Sequence, residues 1–161
     1  MKRVIQKEPV KAAEALTRIQ QFCAFRERSE REVTIKLSNW GLTKEESVQI
    51  IQRLREAGFL NENRFAGSFA GGKFRTRKWG KVKIKAMLSG SMVSEEAISN
   101  ALKQIPDKEY QQELEQLMIK KLAVLNESDP TKRIGKLVRY ATGKGYEPDL
   151  VWKLAGKLLQ R

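Results

Sequence analysis

SEREVTIKLSNWGLTKEESVQIIQRL, residues Ser29–Leu54, recurs in outline as GKVKIKAMLSGSMVSEEAISNALKQI over Gly80–Ile105, and a third time over Lys132–Leu158. Each copy runs through an amphipathic stretch, a small-residue turn, one apolar residue, a helix start and a second amphipathic stretch. The apolar anchors Leu42, Val93 and Tyr146 stand 51 and 53 positions apart. At the same offsets Val33 coincides with Ile84 and Leu137, and Leu37 with Leu88 and Ala141. Ile51, Leu102 and Ala155 fall together as well, and so do Leu54, Ile105 and Leu158. A repeat period of about fifty residues predicts a quasi-linear array whose units bury their faces on their neighbours. Such arrays bind extended partners along one side, which points away from catalysis.

Helix signals fill the rest of the chain. Ala12, Ala15, Leu16, Ile19, Phe22 and Cys23 follow the helical period and open the first unit. Ser29 with Glu32, and Thr43 with Glu46, spell two capping boxes. Asn61 opens the second unit, with Phe65, Phe69 and Phe74 along its first helix. Asp107 opens the third, where Leu114, Leu117, Met118 and Leu122 continue a long stripe. Asp129-Pro130 and Pro148 mark two further helix starts. No alternating strand of useful length competes. The expected fold is all-α: nine helices in three tandem three-helix repeats forming an elongated, curved array. The units are residues 1–59, 60–106 and 107–161.

The 161 residues carry 40% hydrophobic side chains, enough for a core, yet units of about fifty residues are each marginal alone and lean on one another. Lys and Arg outnumber Asp and Glu by 32 to 19, a formal net charge of +13 with no histidine. That balance predicts a polyanionic or acidic partner. The lone Cys23 excludes an internal disulfide and reads as a buried small apolar residue. No signal-peptide pattern and no bilayer-length apolar run is seen, so the expectation is a cytoplasmic protein without a membrane anchor; closed repeats with capped ends add the expectation of a monomer.

The charge is concentrated. Between Asn63 and Ser94 there is no acidic residue, while Arg64, Lys73, Arg75, Arg77, Lys78, Lys81, Lys83 and Lys85 all lie there. Solvated helix faces ordinarily mix signs, because opposite charges three or four positions apart stabilise each other. A one-signed run therefore reads as a contact surface for phosphates or carboxylates. Lys73, Arg75, Arg77, Lys78, Lys81, Lys83 and Lys85 form the first candidate set; Lys132, Arg133, Lys136 and Arg139 form the second, opposite the apolar stripe of their helix. Arg26 and Arg28 join a third cluster, diluted by Glu27, Glu30 and Glu32. Phe74 and Trp79, inside the basic run, are expected to pack between helices.

Catalytic chemistry finds no foothold. Gly67–Phe74 (GSFAGGKF) starts like a phosphate-binding loop, but Phe74 stands where the magnesium-holding Ser or Thr belongs, and the preceding stretch reads as helix. Without histidine, a histidine base or histidine metal site is impossible. The pairs Glu45-Glu46 and Glu95-Glu96 sit at helix starts, where the backbone dipole accounts for them. No enzyme activity, cofactor or metal is expected.

The motifs also carry a resemblance. Arg26–Glu32 (RERSERE) with Leu37 and Gly41, Leu54–Asn61 (LREAGFLN), Arg64–Ala66, and Gly80 with Ile84 and Leu88 occur in order. Lys120-Lys121, Arg139-Tyr140 and Lys144–Tyr146 follow. In that order and spacing the chain resembles RecX, the bacterial regulators of the RecA recombinase, over nearly its whole length. It departs at Gly71-Gly72, where helix formers are usual, and at Ser89–Met92, which lacks the usual lysine-glycine ending. The resemblance implies three three-helix repeats that bind RecA filaments on single-stranded DNA in the helical groove. It further implies suppression of filament extension, ATP hydrolysis, strand exchange and co-protease activity. The basic faces alone also fit a second expectation, a helical protein that binds single- or double-stranded DNA directly.

Overall fold

Local chemistry sets the helix starts. In the computed structural model, which describes residues 10–160, Ser29 opens α2 (Glu30–Asn39) and Thr43 opens α3 (Lys44–Glu56), both with complete capping boxes. Asn61 caps α4 (Glu62–Arg77), Ser94 caps α6 (Glu95–Lys103), and Asp129 caps α8 (Pro130–Gly143), each accepting a hydrogen bond from a backbone N–H three residues on. The remaining helices are α1 (Ala12–Phe25), α5 (Lys81–Gly90), α7 (Asp107–Val124) and α9 (Pro148–Leu159). Among the described residues these nine helices are the only regular elements, so the fold is all-α. Residues 1–9 of the first expected unit and residue 161 of the third lie outside the described residues.

Extensive helix contacts stay within three triads: α1 to α3, α4 to α6, and α7 to α9. The repeat register holds in the packing. Val33, Ile84 and Leu137 are fully buried, as are Leu37, Leu88 and Ala141. Two cores result. One joins Ala15 through Leu60 within the first triad; the other runs from Phe65 to Ala155 and fuses the second and third triads.

Helix α4 runs unbroken through Gly67–Lys73, so the loop reading of that stretch is excluded by structure as well as by motif. Phe65, Ala66, Ala70 and Phe74 bury one side of it, and that burial outweighs the roughly 1 kcal/mol each glycine costs a helix. Cys23 is buried, and burial pushes its thiol up to about 11, as suits a packing residue.

The turns before the anchors share a backbone device. Gly41 and Gly145 have positive φ (82° and 98°), and the middle turn places Met92 there instead, at φ 62°. A side chain in this region costs about 1–2 kcal/mol, and Met92 is 79% exposed, so its side chain returns little. Met92→Gly is therefore expected to stabilise the protein by roughly 0.5–1 kcal/mol, after the extra entropy of glycine in the unfolded chain is subtracted. The check is a higher urea midpoint at unchanged m-value. A lower midpoint would mean that Met92 makes a stabilising contact.

Candidate functional site

The α4–α5 connection and the α8–α9 turn meet backbone to backbone. Gly80 donates its N–H to the Lys144 carbonyl at 2.9 Å, and Val82 donates to Gly145 at 3.0 Å. Tyr110 of α7 completes the seam, accepting from the Lys81 N–H at 2.9 Å and donating to Glu147 at 2.6 Å. Burial, then the hydrogen bond to Glu147, push its ionisation far above the ordinary tyrosine value, so the hydroxyl stays a donor. Phe74, Tyr110 and Tyr146 stack behind it, with ring centroids 5.8 and 5.0 Å apart.

Cations held by aromatic rings flank this seam. Half-buried Trp79 has Lys73 Nζ at 5.2 Å and Lys83 Nζ at 4.6 Å from its ring centroid. On the third triad Tyr140 has Lys121 Nζ at 4.9 Å and Lys144 Nζ at 5.9 Å. A ring fixes an ammonium without neutralising it. Held this way, the charge projects a field that an arriving phosphate or carboxylate feels in full.

The structure divides the candidate residues read from the sequence. Lys78 pairs with Glu113 at 3.0 Å, Lys81 with Asp107 at 3.1 Å, and Lys85 with Glu95 at 3.3 Å. Lys136 pairs with Glu127 at 2.6 Å. Arg26 and Arg28 both reach Glu32, and Arg28 also lies 3.8 Å over the Phe22 ring. Arg75, Arg77, Lys132 and Arg139 are exposed, with no ion pair among the described residues. Arg133 is half-buried, and its Nε has no hydrogen-bond partner among them. The acid-free run thus receives its carboxylates from α6 and α7. Solvent-accessible pairs, such as Lys85 with Glu95, contribute only about 0–1 kcal/mol, and all four lysine pairs blunt the local field.

Sequence reasoning missed Lys144, Tyr140 and Lys121 as parts of one surface. The available signal was Lys144 itself, which stands directly before the positive-φ glycine of the repeated turn. No group of three or more metal-binding side chains occurs among the described residues, and no helix there is long and apolar enough to cross a membrane.

Comparison with known proteins reports on the same architecture. The family model described as "RecX, second three-helix domain" matches residues 61–102, the span of α4 to α6. "Regulatory protein RecX" of Oceanobacillus iheyensis is 29% identical over 146 residues, covering 91% of this chain and 53% of that protein. The protein of that name from Clostridium perfringens strain 13 is 32% identical over 124 residues, covering 76% and 58%. The chain therefore spans little more than half the length of these relatives. Among solved structures, the crystal structure of RecX from Lactobacillus salivarius superposes with a TM-score of 0.82 at 19% identity, covering 93% of this chain and 97% of that one. A second, the crystal structure of regulatory protein RecX, gives 0.81 at 20% identity, covering 89% and 70%. With its second triad matched by the family model, its sequence by these relatives and its fold by two RecX crystal structures, the chain is similar to the RecX family over most of its length.

Proposed function

We propose that the chain regulates a RecA-type recombinase, chiefly as an inhibitor, by seating its basic face in the groove of the recombinase filament on single-stranded DNA. Three units, residues 1–59, 60–106 and 107–161, supply the length to bridge successive filament subunits. The observation that carries this reading is the pair of ring-held cation sites flanking the seam between the second and third triads. That surface is positively charged, as an acidic partner requires. A body lodged across neighbouring subunits resists the motions that ATP turnover needs, and so slows filament extension, strand exchange and co-protease activity together. Nothing in this mechanism calls for a catalytic group, cofactor or metal, and it works with a monomer in the cytoplasm.

The test is single-stranded-DNA-dependent ATP hydrolysis by RecA from the same organism as the chain is titrated in. Inhibition well below one copy per RecA subunit is expected, because one bridging molecule arrests several subunits. A basic protein of equal charge should not reproduce it. Absence of inhibition at molar excess would refute the reading. The lysines around Trp79 also favour a second reading, direct DNA binding, since phosphate neutralisation beside an aromatic ring suits a single strand. That reading requires tight binding to bare DNA with a steep salt dependence.

A further inference from the structure

The two seams of the array are built differently, and the difference traces to two residues. At the repeat offset of 51, Ser29 corresponds to Gly80 and Glu32 to Lys83; Ser91 and Lys144 correspond in the turns they face. Lys83 stands where a carboxylate would take the Gly80 N–H, so that N–H crosses the seam to the Lys144 carbonyl. The Ser29 N–H instead turns back to the Glu32 carboxylate at 2.9 Å, inside its own capping box. The Ser91 carbonyl accordingly receives no hydrogen bond among the described residues. Between the first and second triads lies a cleft of about 370 Å³, lined by Arg28, Ser29, Arg55, Asn61, Met92 and Val93 among others.

The cores divide at the same place. Leu60 is buried in the first and Phe65 in the second, and no buried residue belongs to both. Side chains of exposed arginines cross the cleft: Arg31 donates to the Gly90 carbonyl, and Arg64 pairs with Glu27 at 2.9 Å. Exposed contacts of this kind are weak and exchange readily with water. The opposite seam has a shared core and two backbone hydrogen bonds.

We propose that the first triad pivots about Asn61 against a fused body of the second and third triads, and that the Glu32 capping box holds the cleft open. Closure would carry the Ser29 N–H from Glu32 to the Ser91 carbonyl, as Gly80 already reaches Lys144. The array would then adjust its span through one seam only. The inference stands on the packing, whatever the partner.

Spin labels at equivalent exposed positions test it by pulsed electron resonance. Gln49→Cys with Asn100→Cys reports the first seam, and Asn100→Cys with Lys153→Cys the second. Buried Cys23, its thiol pushed up to about 11, should stay unlabelled in the parent chain. A distance distribution at least twofold broader across the first seam is expected. Glu32→Ala should shift that distribution to shorter distances and leave the second unchanged. Equally narrow distributions would overturn the pivot whether or not the Glu32 variant folds. A broad first distribution that Glu32→Ala leaves in place would overturn the role given to Glu32.

Discussion

Gly80→Ala is expected to lower stability by about 3–5 kcal/mol. A Cβ at Gly80 would lie 2.2 Å from the carbonyl carbon and oxygen of Gly145 and 2.3 Å from the Tyr146 nitrogen. These are backbone atoms, so no rotamer change relieves the overlap. Either the seam opens or the backbone distorts. Overpacking costs about 1–3 kcal/mol, and two lost backbone hydrogen bonds add about 0.5–1.5 kcal/mol each. For a chain of this size that amounts to a fall of roughly 10 °C in Tm. Gly72→Ala is the control: its Cβ meets nothing within 4 Å, on a helix interior where alanine is the better residue. If Gly80→Ala unfolds within 1 kcal/mol of the parent, the backbone contact does not hold the second and third triads together.

The second large effect concerns binding. Lys73→Glu with Lys83→Glu is expected to weaken association with the recombinase filament at least a hundredfold, with helical content unchanged. The comparison is Lys85→Glu with Lys136→Glu. Each double substitution takes the formal net charge from +13 to +9, so a purely non-specific charge effect weakens both equally. The account expects a difference, because Lys73 and Lys83 lie on the Trp79 ring while Lys85 and Lys136 already face Glu95 and Glu127. A hundredfold change corresponds to about 2.7 kcal/mol, or roughly 0.7 kcal/mol for each of the four charge units. That is within what electrostatic contacts to a polyanion supply. Equal losses from the two doubles would place the interface elsewhere.

What the sequence made legible follows from the range of the interactions. The capping boxes at Ser29 and Thr43 act over three residues, so a linear reading finds both. The core positions repeat with the helical period and the fifty-residue unit; Val33, Ile84 and Leu137 were readable for that reason. The packing role expected of Phe74 and Trp79 is met, with Phe74 buried and Trp79 half-buried against the shared core. Ion-pair partners were not legible. The carboxylates of Glu113 and Asp107, which face Lys78 and Lys81, lie 35 and 26 positions away in sequence. An acid-free run in sequence is therefore only partly an acid-free surface. Gly71-Gly72 departs from the family pattern, yet the helix expected along Phe65, Phe69 and Phe74 passes straight through, because tertiary burial decides it. The contrast between the seams was written in Ser29, Glu32, Gly80 and Lys83, but reading it needed the knowledge that these helix starts face a neighbouring turn.

The central claim is that the ring-held lysines seat this chain on a recombinase filament. Its most direct test is the equilibrium affinity of the parent and of the Lys73→Glu, Lys83→Glu variant for fluorescent single-stranded DNA, bare and coated with RecA, at two salt concentrations. The account predicts that the parent binds the coated strand at least tenfold more tightly than the bare one, and that the variant loses most of that affinity. Equal affinity of the parent for both strands, or a variant that binds the filament as well as the parent does, would contradict it.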